Sequence, residues 1–345
     1  MVRADVANDF FRMGKLLQQY MVDAYTRIEK SRLEYYRLNQ KRFRIASYQG
    51  LLDHLENQAE RLNVPLGSLY ILPSTFVGGL RYMRQAYQDA MALVRKFGKP
   101  DLFITFTANP SWPEIVCELN GQPYTSRPDV CVRVFHLKLK AFLSEIIVDQ
   151  VLGKVVANVR VIEFQMRGLP HCHLIITFDA PDKITTPEQV DEIIWAEIPD
   201  KQVWPELHDF VVKNMRHTCD QRCLNDEGKC KSYFPKPYSD QTIILENGIT
   251  RYKRRFQPGV VLPNGAVATN QQIVPYNPYF LMRYNCHINF EWCSSIRSVK
   301  YLFKYIFKGH DIADEKIQGQ LNHDEIDQFI NGRCVSSFES IYRKL

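Results

Sequence analysis

Residues 155–178 read VVANVRVIEFQMRGLPHCHLIITF, and this stretch decides the fold. Both flanks are rich in β-branched and aromatic residues. Arg167-Gly168-Leu169-Pro170 between them has turn chemistry, so the reading is two antiparallel strands joined by a short loop. In the second strand His171 and His173 flank Cys172. Period-two geometry sends both imidazoles to one face and Cys172 to the opposite, apolar one. Two imidazoles converging on one face can hold a divalent cation. On the preceding strand Glu163 and Gln165 share a face. A five-residue loop over 166–170 would set Gln165 opposite His171 and Glu163 opposite His173, and a four-residue loop would reverse the parity. One of these two side chains is the expected third ligand.

Outward from this hairpin, DLFITFTANP (101–110) alternates like a strand and is stopped by Asn109-Pro110. Residues 129–150 read as an amphipathic helix, 187–215 as partly helical, 279–292 (YFLMRYNCHINFEW) as a strand, and 295–309 as a helix ending at Gly309. Nearer the start, residues 9–62 are long, charged and almost free of Gly and Pro, which predicts helix, and a second helix runs over roughly 80–97. The fold class expected is α+β, an antiparallel sheet flanked by helices, with an N-terminal helical region over 1–98. The sheet domain takes 99–216 and 271–345, interrupted by a basic, cysteine-rich insertion over 217–270.

The helix over 295–309 carries Tyr301 and Tyr305, four residues apart and so on one face. Ile296, Val299, Leu302, Phe303, Ile306 and Phe307 fill a separate apolar arc, while Arg297, Lys300, Lys304 and Lys308 lie directly beside the tyrosines. A phenol next to a basic stripe is placed to attack a phosphodiester, since the cations attract the DNA backbone and favour the phenolate.

Nine cysteines, several near histidines, suit reduced thiols and metal binding better than a disulfide framework. His217, Cys219, Cys223 and Cys230 would complete a tetrahedral structural Zn²⁺ site in a short segment with little core of its own. Cys117, Cys131, Cys286, Cys293 and Cys334 read as core residues. Arg251, Lys253, Arg254 and Arg255, interleaved with Tyr252 and Phe256, suit single-stranded DNA, as does the Lys41–Arg44 stretch in a weaker form. A net charge of +6 is compatible with nucleic acid without demanding it. The first residues lack the apolar core of a secretory signal, and no apolar run reaches the ~18 residues of a membrane helix, so no membrane association is expected.

Four segments carry a resemblance. DLFITFTANPSW (101–112), EFQMRGLPHCH (163–173), VPYNPYFLMRYNCHINFE (274–291) and KYLFKYIFKGHD (300–311), in this order, closely resemble the N-terminal replication-initiator region of Helitron transposases, over roughly residues 10–340. The resemblance implies the HUH-endonuclease palm, with the histidines on a central strand of an antiparallel sheet. It implies catalytic Mg²⁺ or Mn²⁺ on His171 and His173, and Tyr301 and Tyr305 as nucleophiles that nick and rejoin single-stranded DNA through a 5′-phosphotyrosine. It also implies nuclear localisation and a helicase domain in full-length relatives. No GxxxxGK[ST] phosphate loop occurs in these 345 residues, so the helicase part is expected to be missing from this chain. A DNA-binding module that keeps the zinc insert but has lost catalysis is the alternative.

Overall fold

A computed structural model of the chain describes residues 13–43, 66–164, 168–246, 248–294 and 321–344. The described residues form two compact units, one from 13–43, 66–91 and 321–344, the other from 92–294. The C-terminal segment 321–344 thus groups with the N-terminal helical region, where the sequence boundaries had placed it with the sheet domain.

In the first unit, α1 (Lys15–Leu38) is nearly free of helix breakers and buries only Leu17 and Leu33. β1 (Leu66–Tyr70) pairs in parallel with β10 (Leu321–Asp324). The helix α2 (Leu80–Phe97) matches its predicted span, and its residues from 92 onward belong to the second unit. α8 (Glu325–Asn331) starts where the Asp324 carboxylate accepts the Ile326 and Asp327 amides at 3.0 and 2.9 Å, and α9 (Ser337–Tyr342) starts at a Ser336 cap. Leu33, Leu72, Phe76 and Ile326 make one core cluster of this unit, with Phe329 edge-on to Phe76 at 5.0 Å. The buried Glu325 carboxylate accepts the Leu72 amide at 2.9 Å and pairs with Arg81, so its charge is matched inside the unit.

The second unit is built on a four-stranded antiparallel sheet. Its strands are β2 (Leu102–Thr107), β3 (Val155–Phe164), β4 (Pro170–Phe178) and β9 (Ile288–Trp292), in the spatial order β3-β4-β2-β9. The histidine strand β4 is therefore interior, flanked by β3 and β2. One face is apolar: Leu102, Ile104, Phe106, Cys172, Leu174, Ile176, Ile288, Phe290 and Trp292 are all buried. Against it pack the aromatic residues of α4 (Pro128–Ile147) and α7 (Pro278–Tyr284), with Phe106 to Phe142 at 4.8 Å, Phe142 to Phe280 at 5.1 Å and Phe280 to Phe290 at 5.7 Å. Short helices α3 (Pro113–Leu119), α5 (Pro187–Ile193) and α6 (Pro205–Asn214) each open with proline in the first turn. The 217–270 segment contributes two minimal ribbons, β5 (Ile243–Ile244) with β6 (Thr250–Arg251), and β7 (Val260–Val261) with β8 (Val267–Ala268).

Two sequence expectations change here. The stretch 279–292 is not one strand: α7 occupies its first half and β9 begins only at Ile288. Asn277 caps α7 by accepting the Phe280 amide at 3.0 Å, Pro278 supplies the first helical position, and Phe280, Leu281 and Tyr284 form a buried helical stripe. The aromatic content that suggests a strand serves a helix face instead. Of the five cysteines read as core, Cys131, Cys286 and Cys293 are buried, but Cys117 and Cys334 are exposed. All nine are free thiols. Among the described residues no helix is long and apolar enough to cross a membrane.

Candidate active site

The face of the sheet opposite the aromatic core is polar around the histidines, with buried Phe103 and Ile175 beside them, and strand register dictates what stands on it. β4 contributes His171 and His173, β2 contributes Thr105 and Thr107 directly opposite them, β3 contributes Glu163 opposite His171, and β9 contributes Asn289 opposite Thr105. The hairpin keeps the parity of the five-residue-loop alternative but slides by two residues, because Phe164 pairs with Pro170. Glu163 consequently sits across from His171, and its carboxylate reaches diagonally to His173, with Oε2 3.0 Å from Nε2. Gln165, the other candidate ligand, lies outside the described residues. Cys172 points into the apolar side and is fully buried.

Each histidine is fixed at its Nδ1 end. His171 Nδ1 lies 2.8 Å from the Thr107 hydroxyl, and His173 Nδ1 lies 3.1 Å from that of Thr105. The ring of Phe103 stacks on His173 at 5.7 Å with an interplanar angle of 7°. These contacts engage Nδ1 of both rings, while Nε2 of His173 meets the Glu163 carboxylate. Burial, with the neighbouring imidazoles His173 and His287 adding to it, pushes His171 down to about 4. Its ring is therefore neutral at pH 7 and its lone pair is available to a cation.

Glu163 and His173 are spaced to share an oxygen- and nitrogen-loving divalent ion. Two ligands at right angles on bonds of about 2.1 Å stand about 3.0 Å apart, which is the separation of Glu163 Oε2 and His173 Nε2. A third imidazole was not singled out in the sequence. His287 precedes β9, its carbonyl accepts the Thr107 amide at 3.0 Å, and its Nδ1 donates to the Asn214 carbonyl at 2.8 Å. A carbonyl only accepts, so Nδ1 carries the proton there and Nε2 keeps a lone pair. The period-two spacing of His287, Asn289 and Glu291 is the signal that would have placed it on this face. Likewise, the alternating Thr105 and Thr107 in LFITFT mark the residues that meet the histidines.

A second cluster is tighter. His217, Cys219, Cys223 and Cys230 bring one ligand atom each to within 4.8 Å of all the others, and they are the one group of three or more such side chains that does so among the described residues. Cys219 Sγ and Cys230 Sγ stand 3.3 and 3.4 Å from His217 Nε2. A tetrahedron with bonds of about 2.0–2.3 Å has edges of roughly 3.5–3.8 Å, so the set fits zinc. The local fold explains the convergence. Leu224 bridges Cys230 across a turn stapled by Asn225, while His217 is anchored to Gln272 through its amide at 2.8 Å and lies flat on Phe234 at 4.2 Å.

The basic stretch splits by parity. Tyr252 and Arg254 point inward, and Arg254 is buried with Nη1 donating to the Ala196 carbonyl at 2.9 Å. It is therefore unavailable to a phosphate, contrary to the sequence reading. Arg251 and Lys253 are partly exposed and Arg255 is exposed. Lys253 and Arg255 line a cleft of ≈ 580 Å³ with Trp204 and Phe256, although Glu197 already holds the Arg255 guanidinium at 2.7 Å. Arg297, Lys300, Tyr301, Lys304, Tyr305 and Lys308 lie outside the described residues.

Residues 1–176 match the family model described as the Helitron helicase-like domain at the N-terminus. The chain belongs to this family. A comparison with the curated proteins returns no match. The matched part of this Helitron-like chain contains β2, β3 and all of β4 up to Ile176, hence the histidines, both threonines and Glu163. β9 and the Cys/His cluster follow it. Membership assigns the protein a Helitron transposase-related role and fits both a helicase-containing full-length protein and interaction with nucleic acid.

Proposed function

We propose that this Helitron-like chain is a divalent-metal-dependent tyrosine nuclease of the HUH type, which nicks and rejoins single-stranded DNA during rolling-circle-like transposition in the nucleus. The observation that carries the reading is the pair of imidazoles on an interior strand, each fixed at Nδ1, with a carboxylate 3.0 Å from one Nε2. His171, His173 and Glu163 would hold the ion, and Mg²⁺ or Mn²⁺ supplies charge neutralisation at the scissile phosphate when bound. Tyr301 or Tyr305 attacks phosphorus in line, forming a tyrosyl O–P bond as the P–O3′ bond breaks, with the proton appearing on the departing 3′-hydroxyl. The phosphotyrosine conserves the ester's free energy, so a 3′-hydroxyl can reverse the step without ATP. Lys253, Arg255, Trp204 and Phe256 offer cations and rings to backbone and bases, the combination that single strands favour. His217, Cys219, Cys223 and Cys230 would hold a structural Zn²⁺.

The Cys/His cluster equally suits a zinc-stabilised DNA-binding module without chemistry. Incubating the full chain with end-labelled single-stranded DNA and Mn²⁺ separates the two. A covalent adduct on a peptide containing Tyr301 or Tyr305 is expected. An adduct elsewhere, or cleavage without any adduct, would sink the nuclease reading proposed here.

A further inference from the structure

We propose that Thr105 is a positioning residue for His173 that exchanges hydrogen-bond roles with Asn289 behind it. Its hydroxyl donates to His173 Nδ1 while Glu163 holds Nε2, and turns to accept from Nδ1 and donate to Asn289 Oδ1 when Nε2 takes a cation. The inference rests on the metal reading of the histidine face.

A neutral imidazole carries one N–H. Glu163 Oε2, 3.0 Å from His173 Nε2, belongs to a carboxylate that only accepts, so the proton is on Nε2. Nδ1 is then an acceptor, and the Thr105 hydroxyl at 3.1 Å is its donor. Asn289 faces Thr105 directly across the β2–β9 pair. Its Nδ2 donates to Glu291 at 2.9 Å, but its Oδ1 is buried and has no hydrogen-bond partner among the described residues. A buried acceptor without a donor is unfavourable and calls for a reason.

The second state supplies it. A ligand nitrogen must offer a lone pair, so the Nε2 proton leaves to solvent while Nδ1 takes one from solvent, and the charge of the ring is unchanged. Nδ1–H now needs an acceptor, which the Thr105 oxygen provides. The hydroxyl proton needs a new partner in turn, and the unmatched Oδ1 of Asn289, in register opposite, is the acceptor it turns to as the side chains adjust, the two oxygens not being hydrogen-bonded to each other in the first state. Of the side chains that fit this strand position, serine keeps the exchange and valine abolishes it.

The test compares Mn²⁺ affinity of the full chain, read from free-ion paramagnetic resonance, for the wild type, Thr105→Val, Thr105→Ser and Asn289→Ala. The component lost in His173→Ala reports this site. Thr105→Val should weaken that component about 10- to 100-fold, Thr105→Ser should restore it, and Asn289→Ala should fall between. Ring ¹⁵N shifts of His173 should place the proton on Nε2 in metal-free protein and on Nδ1 with Mg²⁺. Unchanged affinity in Thr105→Val, or a proton on Nδ1 in both states, overturns the proposal and leaves the nuclease reading standing. A wild type with no His173-dependent Mn²⁺ site overturns both.

Discussion

The sequence places His171 and His173 on one face equally, yet the two differ in their surroundings. His171 is only 7% exposed, whereas His173 stands beside the partly open Glu163. Either His→Ala change should abolish nicking in Mg²⁺, measured on labelled single strands. His171→Ala should also destabilise the fold by about 1–3 kcal/mol, because it leaves the buried Thr107 hydroxyl without its partner. The same burial predicts a pH effect. His171 is pushed down to about 4 from 6.5, so between these values the unfolded chain binds the proton that the folded chain refuses. Its contribution to stability is complete above pH 6.5 and is lost as pH falls toward 4, on the order of 3 kcal/mol. Urea midpoints should therefore fall more steeply over pH 6.5–4 in the wild type than in His171→Ala. Equal slopes would show that this imidazole is not the group responsible. Which face the histidines take was readable from period two alone. The identity of their partners was not, because Thr105 and Thr107 reach them through a cross-strand register 68 and 64 residues long in sequence.

At the scale of elements, β2, β3, β4 and helices α2 and α4 follow their sequence patterns closely, since β-branched alternation and amphipathic spacing are local signals. α7 escaped because an aromatic-rich run carries no strong local preference. Its cap chemistry, Asn277 with Pro278, was the better guide. The Asn277 amide also donates to the Ile193 carbonyl at 2.8 Å, so Asn277→Ala should cost about 1–2 kcal/mol in thermal or denaturant unfolding. The Cys/His cluster was legible in its ligands, and the turn at 223–230 explains how irregular spacing still converges. Freshly reduced protein should carry about one zinc per chain by elemental analysis. Cys223→Ser should release that zinc and open new protease sites confined to 217–270, and cutting spread through the sheet would show that the cluster supports more than its own segment.

At the scale of the whole molecule, DNA binding and chemistry should separate. Tyr301→Phe combined with Tyr305→Phe removes only two oxygens, so covalent adducts should vanish while single-stranded DNA is still retained, with a strong salt dependence of binding. An adduct persisting in this double variant would place the nucleophile elsewhere. The chain order of the two units has its own consequence. β1 waits for β10, and Arg81 waits for Glu325, whereas every strand of the histidine sheet lies between them in the chain. On the ribosome, the sheet unit is therefore fully synthesised before the first unit can close. A message cut short after residue 294 would leave the histidine sheet with all four of its strands and the first unit without β10, α8 and α9. Such nested order makes the sheet unit the part that tolerates truncation, and the N-terminal unit the part that reports whether translation went further.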